Sequence, residues 1–144
     1  MDEISRMVLA AGGMCALATS WEDQPWVSLM AYVFEPERKS LLLITPASSR
    51  KTQNLRVNPK VALLVDTRRD EAAAREGIMA LSVDGVAEFL DGEEAEDAKR
   101  RILELHPELS EMARQELHSI RVTVASHQLV RGATEIVSRS TDDA

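Results

Sequence analysis

A mainly β fold with flanking helices, closed or split as a barrel, is what this sequence predicts, and three observations carry that prediction. About six or seven segments either are apolar at every second position or run as short aliphatic stretches. Most links between them are short enough for antiparallel pairing. Helical spacing of apolar residues is confined to segments at the start, after the third strand and after the fifth.

Taken in order, Asp2 caps a first helix with Ile4, Met7, Val8 and Ala11 on one face, and Gly12-Gly13 ends it. Residues 14–20 read as a strand, Glu22-Asp23-Gln24-Pro25 as a turn and residues 26–34 as the second arm of a hairpin. In that arm Val27, Leu29, Ala31 and Val33 share one face, and Trp26, Ser28, Met30 and Tyr32 the other. Residues 40–45 and 61–65 are almost unbroken aliphatic runs, the pattern of strands covered on both sides. Between them lies a short helix that follows Thr45-Pro46 and stops at Asn58-Pro59.

Residues 68–76 are polar and read as a loop or one exposed helical turn. A long strand over 78–90 keeps Met79, Leu81, Val83, Ala87 and Phe89 in phase, with Gly85 placed where a barrel strand bends. Asp91 and Glu94 then predict a capping box, Ala95, Ala98, Ile102 and Leu105 a buried stripe, and Pro107 a stop. A final strand pair spans 117–136, with His127-Gln128 near its bend. The whole reads as a single domain over 1–137 with a flexible tail over 138–144.

Composition narrows the function. A net charge of -7 opposes nucleic acid and anionic membranes, which both need a positive field. Neither partner is expected. The acidic first residues and the lack of a long apolar stretch predict a cytoplasmic protein. Cys15 is the only cysteine and reads as a small buried hydrophobe. His106, His118 and His127 lack metal-ligand spacing, so no metal site is expected. Asp66, Arg68 and Arg69 read as a solvated loop at a strand end.

Two helices treat charge in opposite ways. The one after Asp91 puts Glu93, Glu94 and Glu96 early and Lys99, Arg100 and Arg101 later, as the helix dipole prefers. The one after Pro46 has Ser48 or Ser49 as its N-cap and sets Arg50 and Lys51 against the positive end of the dipole. Backbone N–H groups, the hydroxyls of Ser48, Ser49 and Thr52, and two cations together suit a phosphate dianion. The alternative is two solvated side chains that tolerate a penalty of roughly 0.3–1 kcal/mol each.

The segment Thr45-Pro46-Ala47-Ser48-Ser49-Arg50-Lys51-Thr52-Gln53-Asn54-Leu55, continued through Asn58-Pro59 into Val61-Ala62-Leu63-Leu64-Val65, resembles the pyridoxamine 5'-phosphate oxidase-related, FMN-binding split-barrel family. Cys15-Ala16-Leu17-Ala18-Thr19, Gln24-Pro25-Trp26-Val27-Ser28 and Asp84-Gly85-Val86-Ala87-Glu88 extend the likeness. It implies a six-stranded antiparallel split β-barrel that forms a homodimer, with flavin mononucleotide (FMN) in a groove between subunits. Ser49, Arg50 and Lys51 would hold its phosphate, with Thr52 beside them. Val27, Ser28 and Leu29 would lie along the flavin, and Thr45 and Pro46 at the end of the neighbouring strand. The second subunit would cover the apolar runs of the third and fourth strands.

The basic, histidine-containing C-terminal motif of the named oxidases has no counterpart in 132–144, and their longer N-terminal region is missing. Oxidation of pyridoxamine phosphate is therefore not expected. The resemblance implies an FMN-dependent oxidoreductase acting on an unidentified small substrate, with no catalytic acid or base assigned. A non-catalytic flavin carrier or electron-transfer protein is the second reading. Leu105-His106-Pro107 resembles relatives grouped with haem-utilisation proteins, which makes haem binding a third. Trp21, Trp26 and Tyr32 are read either as rings beside a ligand or, more simply, as dimer packing.

Overall fold

The computed structural model describes residues 1–69, 77–132 and 135–140. Its elements run α1 (Glu3–Gly12), β1 (Met14–Trp21), β2 (Gln24–Ala31), β3 (Val33–Glu35), β4 (Ser40–Pro46), α2 (Arg50–Val57), β5 (Lys60–Asp66), β6 (Met79–Phe89), α3 (Gly92–Leu105), β7 (Leu117–Arg131) and β8 (Glu135–Ser140). The strands form one antiparallel sheet in the order β2-β1-β5-β6-β7-β4-β3, with β8 also on β7. The two ends of that order, β2 and β3, are one stretch of chain broken only at Tyr32. Before Tyr32 the stretch pairs with β1, and after it with β4. The sheet therefore curls back on itself, leaving a split where β2 has β1 as its one strand partner among the described residues. Counted as one bent strand, β2 and β3 complete the expected six-stranded split barrel with β1, β4, β5, β6 and β7, and β8 is an addition.

Tyr32 is pinned at all its polar groups. Its backbone N–H donates to Gly13 O at 2.9 Å, its hydroxyl donates to Leu9 O at 2.6 Å, and its carbonyl lies 3.0 Å from His106 Nε2. The ring is 1% exposed, and burial pushes its hydroxyl pKa up. Around it Leu9, Leu17, Leu41, Leu43, Leu81 and Ile120 fill the barrel, each buried leucine contributing on the order of 1.5–3 kcal/mol. Cys15 belongs to this core and burial pushes its thiol up to about 12, as expected of a buried hydrophobe. Gly85 sits at a bulge of β6, where a Cβ would stand 2.7 Å from the Thr123 carbonyl oxygen. Only glycine lets β6 press that closely on β7.

A buried ion network fastens α3 to the sheet. Arg121 Nε donates to Glu35 Oε1 at 2.8 Å, Arg101 reaches Glu35 Oε2 at 3.2 Å, and Ser40 donates to Glu35 Oε1 at 2.7 Å. Arg121 also takes Glu94 at 3.0 Å. Burial alone would raise the Glu35 pKa, but the hydrogen bonds from Arg121 and Ser40 and the two arginine charges hold it below the usual value.

Several expectations are corrected. Asp91 is the N-cap of α3 but makes no side-chain cap bond, and Glu94 is drawn to Arg121 instead of closing a capping box. His127 and Gln128 lie inside β7, which runs straight on to Arg131. The tail does not begin at Ser138: β8 continues to Ser140, held by Ser138 Oγ to Asp2 Oδ1 at 2.7 Å and Ser140 Oγ to His127 Nδ1 at 2.7 Å. The outer face of β4 is covered within the chain, since Leu42 and Ile44 pack with Ala98 and Ile102 of α3. On β5 the outward residue Leu64 is 41% exposed in the single chain, so, unlike β4, this strand's outer face is not fully covered from within the described residues. Residues 70–76, most of the predicted polar loop, lie outside the described residues, as do 141–144.

Removing one partner of the buried network should show its worth. Arg121→Met, which strands the Glu35 carboxylate with Arg101 and Ser40, is expected to cost ~3 kcal/mol in chemical denaturation. Because the folded Glu35 pKa is depressed, its contribution is present above roughly pH 4 and fades as pH falls below it. Glu35→Gln should accordingly show a shallower loss of stability on acidification than the wild type.

Candidate functional site

Helix α2 starts where β4 ends, and the sequence fixes that junction locally. Ser49 has extended backbone and its Oγ accepts from Thr52 N–H at 3.3 Å, so Ser49 rather than Ser48 is the N-cap. Thr45, Ser49 and Thr52 form a closed set of hydroxyls: Thr45 Oγ1 lies 3.0 Å from Ser49 Oγ and from Thr52 Oγ1, and Ser49 Oγ 2.8 Å from Thr52 Oγ1. Thr52 also donates to Pro46 O at 2.8 Å. Thr45 and Thr52 are fully buried, so they shape the cradle from behind, while Pro46, Ser49 and Lys51 are half-buried and Arg50 is exposed. By helix geometry the N–H groups of Arg50 and Lys51 have no partner in the helix's own ladder.

The base of α2 is tied to the barrel by two asparagines one turn apart. Asn54 donates to Thr19 Oγ1 and Asn58 to Ser20 Oγ, each at 3.1 Å. This holds α2 beside the β1–β2 hairpin and brings Arg50 over Trp26, with its guanidinium carbon 4.2 Å from the ring centroid. Such a stack contributes roughly 0.5–1 kcal/mol at an exposed site and holds the guanidinium in place. Trp26 was expected to face a ligand or a second subunit, and its role as a platform for Arg50 was not read from the sequence. No local signal carries it, because the contact joins elements far apart in the chain. Lys51 is desolvated without a salt-bridge partner among the described residues, and burial lowers its pKa.

Thr45, Pro46, Ser49, Arg50, Lys51 and Thr52 thus come together at one helix start, and Trp26 joins β2 to them. Val27 and Leu29 project from the opposite face of β2, 64% and 66% exposed, with Ser28 between them half-buried. The three histidines are dispersed. His106 is buried, with Nε2 facing Tyr32 O and Nδ1 3.4 Å from Glu108. His118 meets Arg56 at 2.8 Å and stacks edge-on against Phe89. His127 is held between Asp2 and Ser140. Among the described residues no group of three or more His, Cys, Asp or Glu has the arrangement of a metal site, and no helix is long and apolar enough to cross a membrane.

The two positions at the helix start should separate cleanly in the ligand-free protein. Ser49→Ala removes the cap and is expected to cost about 1 kcal/mol, read from the urea midpoint. Lys51→Met relieves a desolvated cation at the wrong end of a dipole and should leave the midpoint unchanged or raise it.

The fold recurs among solved structures. A haem-binding protein from Mycobacterium smegmatis superposes with a TM-score of 0.80 at 21% identity, over 98% of this chain and 57% of the other, so the chain spans little more than half of that protein. A FAD-binding protein from Mesorhizobium loti gives 0.71 at 21% identity, over 90% and 92%. A putative pyridoxamine 5'-phosphate oxidase from Listeria innocua gives 0.67 at 20% identity, over 88% and 95%. No curated protein sequence matches the chain. The family model described as pyridoxamine 5'-phosphate oxidase matches residues 1–131, which takes in the barrel, the α2 cradle and α3. With the split barrel formed by the same residues, this chain belongs to the pyridoxamine 5'-phosphate oxidase family.

Proposed function

We propose that the protein is an FMN-binding flavoprotein, an FMN-dependent oxidoreductase of a small substrate, and that the start of α2 holds the FMN phosphate. The observation that carries this reading is a desolvated Lys51 beside a stacked Arg50 and a Ser49 hydroxyl, all at the positive end of one helix dipole. A phosphate dianion would return to Lys51 the charge partner that burial denies it, and the Arg50 fork would take two oxygens. The residues present therefore fit the group that the family implies. Val27, Ser28 and Leu29 lie on the edge of the split, where the unpaired backbone of β2 can accept and donate hydrogen bonds to a flat ring. The bound flavin would supply hydride or single-electron transfer, and the chain's residues supply position and electrostatics.

A homodimer belongs to the same reading. Val27, Leu29 and Leu64, with Ala16, Ala18 and Ala62 between them by register, form an apolar face on β2, β1 and β5. A second copy is the cover that face suits.

The haem-binding relative from Mycobacterium smegmatis favours haem as a second reading. His106, the residue that motivated it from sequence, is buried with Nε2 on Tyr32 O and Nδ1 near Glu108, so an axial bond from it would first have to break one of those contacts. A haem absorption band on titration would support this reading over flavin.

Calorimetric titration tests the flavin reading. FMN should bind the wild type at least about tenfold more tightly than riboflavin, and Arg50→Ala or Lys51→Ala should each weaken FMN by about tenfold or more. Equal affinity for FMN and riboflavin, or unchanged FMN affinity in both variants, would move the phosphate away from α2. Light scattering tests the dimer: wild type is expected at twice the chain mass of 15.9 kDa, and Val27→Asp at the mass of one chain.

A further inference from the structure

Both tryptophans of the chain lie on one side of the β1–β2 hairpin, and strand register says which side. Thr19 faces α2, because its Oγ1 accepts from Asn54. Trp26 is the register partner of Thr19, and Trp21 stands two residues beyond Thr19 on β1, so both indoles share its face. The opposite face carries Ala16, Ala18, Val27 and Leu29, the surface given above to a second copy. The two rings are used differently. Trp26 holds the Arg50 guanidinium, whereas Trp21 is 48% exposed and its ring has no aromatic or cationic partner among the described residues. Trp21 pairs with Gln24, which makes Trp26 its diagonal neighbour on that face, at roughly 7–8 Å. Glu22 and Asp23 between the strands both take left-handed backbone, with φ of 50° and 63°, the two-residue turn whose twist matches the strands. The hairpin tip is therefore a fixed mount for an open indole beside the phosphate cradle.

An open aromatic face next to a phosphate site has a chemical complement, a second planar ring carried on the far side of that phosphate. We propose that Trp21 is a stacking subsite for adenine, so that the α2 cradle takes flavin adenine dinucleotide (FAD) as well as FMN. The inference rests on the placement of the phosphate at α2. In FAD the flavin end keeps the place proposed for FMN, the pyrophosphate continues outward from Ser49, Arg50 and Lys51, and the adenine reaches the hairpin tip. Arg50 is exposed, so the cradle lies at the surface and leaves room for a second ester arm. An indole stacks on any base, because every base has a π-face. The turn beside Trp21 adds a preference for adenine, since Glu22 and Asp23 supply carboxylate acceptors for its exocyclic amine.

Calorimetric titration of the full chain with FMN and with FAD tests the subsite, in the wild type and in Trp21→Ala and Trp21→Phe. FAD should bind the wild type about tenfold more tightly than FMN. Trp21→Ala should lose that advantage with FMN affinity unchanged, and Trp21→Phe, which keeps an aromatic face, should retain part of it. FAD binding no tighter than FMN, an advantage that survives Trp21→Ala, or an equal loss of both ligands in Trp21→Ala would overturn the proposal. Failure of the cradle reading looks different. If Arg50→Ala and Lys51→Ala leave FMN affinity unchanged while Trp21→Ala still removes the FAD advantage, the phosphate placement falls and the stacking subsite stands.

Discussion

The closure of the barrel depends on one residue at which a single strand changes partners. Up to Ala31 the chain pairs with β1, and from Val33 it pairs with β4. Between them Tyr32 satisfies its N–H, its carbonyl and its hydroxyl on Gly13, His106 and Leu9. A buried chain reversal or crossing would strand polar backbone groups at a cost of about 1–3 kcal/mol each. Here the ends of α1 and α3 meet those groups, so both helix termini and the two halves of the sheet are fixed by one side chain and its peptide. The same crossing opens the split, because the outer edge of β2 has no strand partner among the described residues.

The split is what makes room for a site. Helix α2 enters at that opening, and its position is set from below by Asn54 and Asn58 on β1 and from the side by Arg50 on Trp26. On the far side of the sheet α3 closes the outer face of β4 and is locked by Glu35, Arg121 and Glu94. Burying those charges is tolerated because each carboxylate oxygen of Glu35 has a partner from a different element. Helix α3 therefore covers one half of the barrel from within the chain, and the outer face of β2, β1 and β5 is left apolar and without a covering helix among the described residues.

Much of this could be read from residues alone, and the failures share a cause. Strand periodicity placed β1, β4, β5 and β6 and ran β2 and β3 together as one strand that starts two residues late, Asp2 was found as a helix cap, and the inverted charge order at Arg50 and Lys51 marked the helix start that the fold brings together with Thr45 and Pro46. Each of these is local, set by a period or a cap within a few residues. What escaped was decided across the chain. Glu94 looks like a capping-box partner until Arg121 is known to lie beside it. His127 looks like a bend until Asp2 and Ser140 are seen to hold it inside a strand. The unbroken aliphatic run of β4 shows that both faces are covered, yet period and composition cannot say whether a helix of the same chain or a second copy does the covering.

The central claim is the place of the phosphate, and an electron-density map of crystals grown with FMN addresses it most directly. The phosphate is expected at the first turn of α2, within hydrogen-bond reach of Ser49 Oγ, the Arg50 guanidinium and Lys51 Nζ, with the Arg50–Trp26 stack preserved. Density for the phosphate at any other part of the barrel, with Lys51 still lacking an anionic partner, would contradict the account.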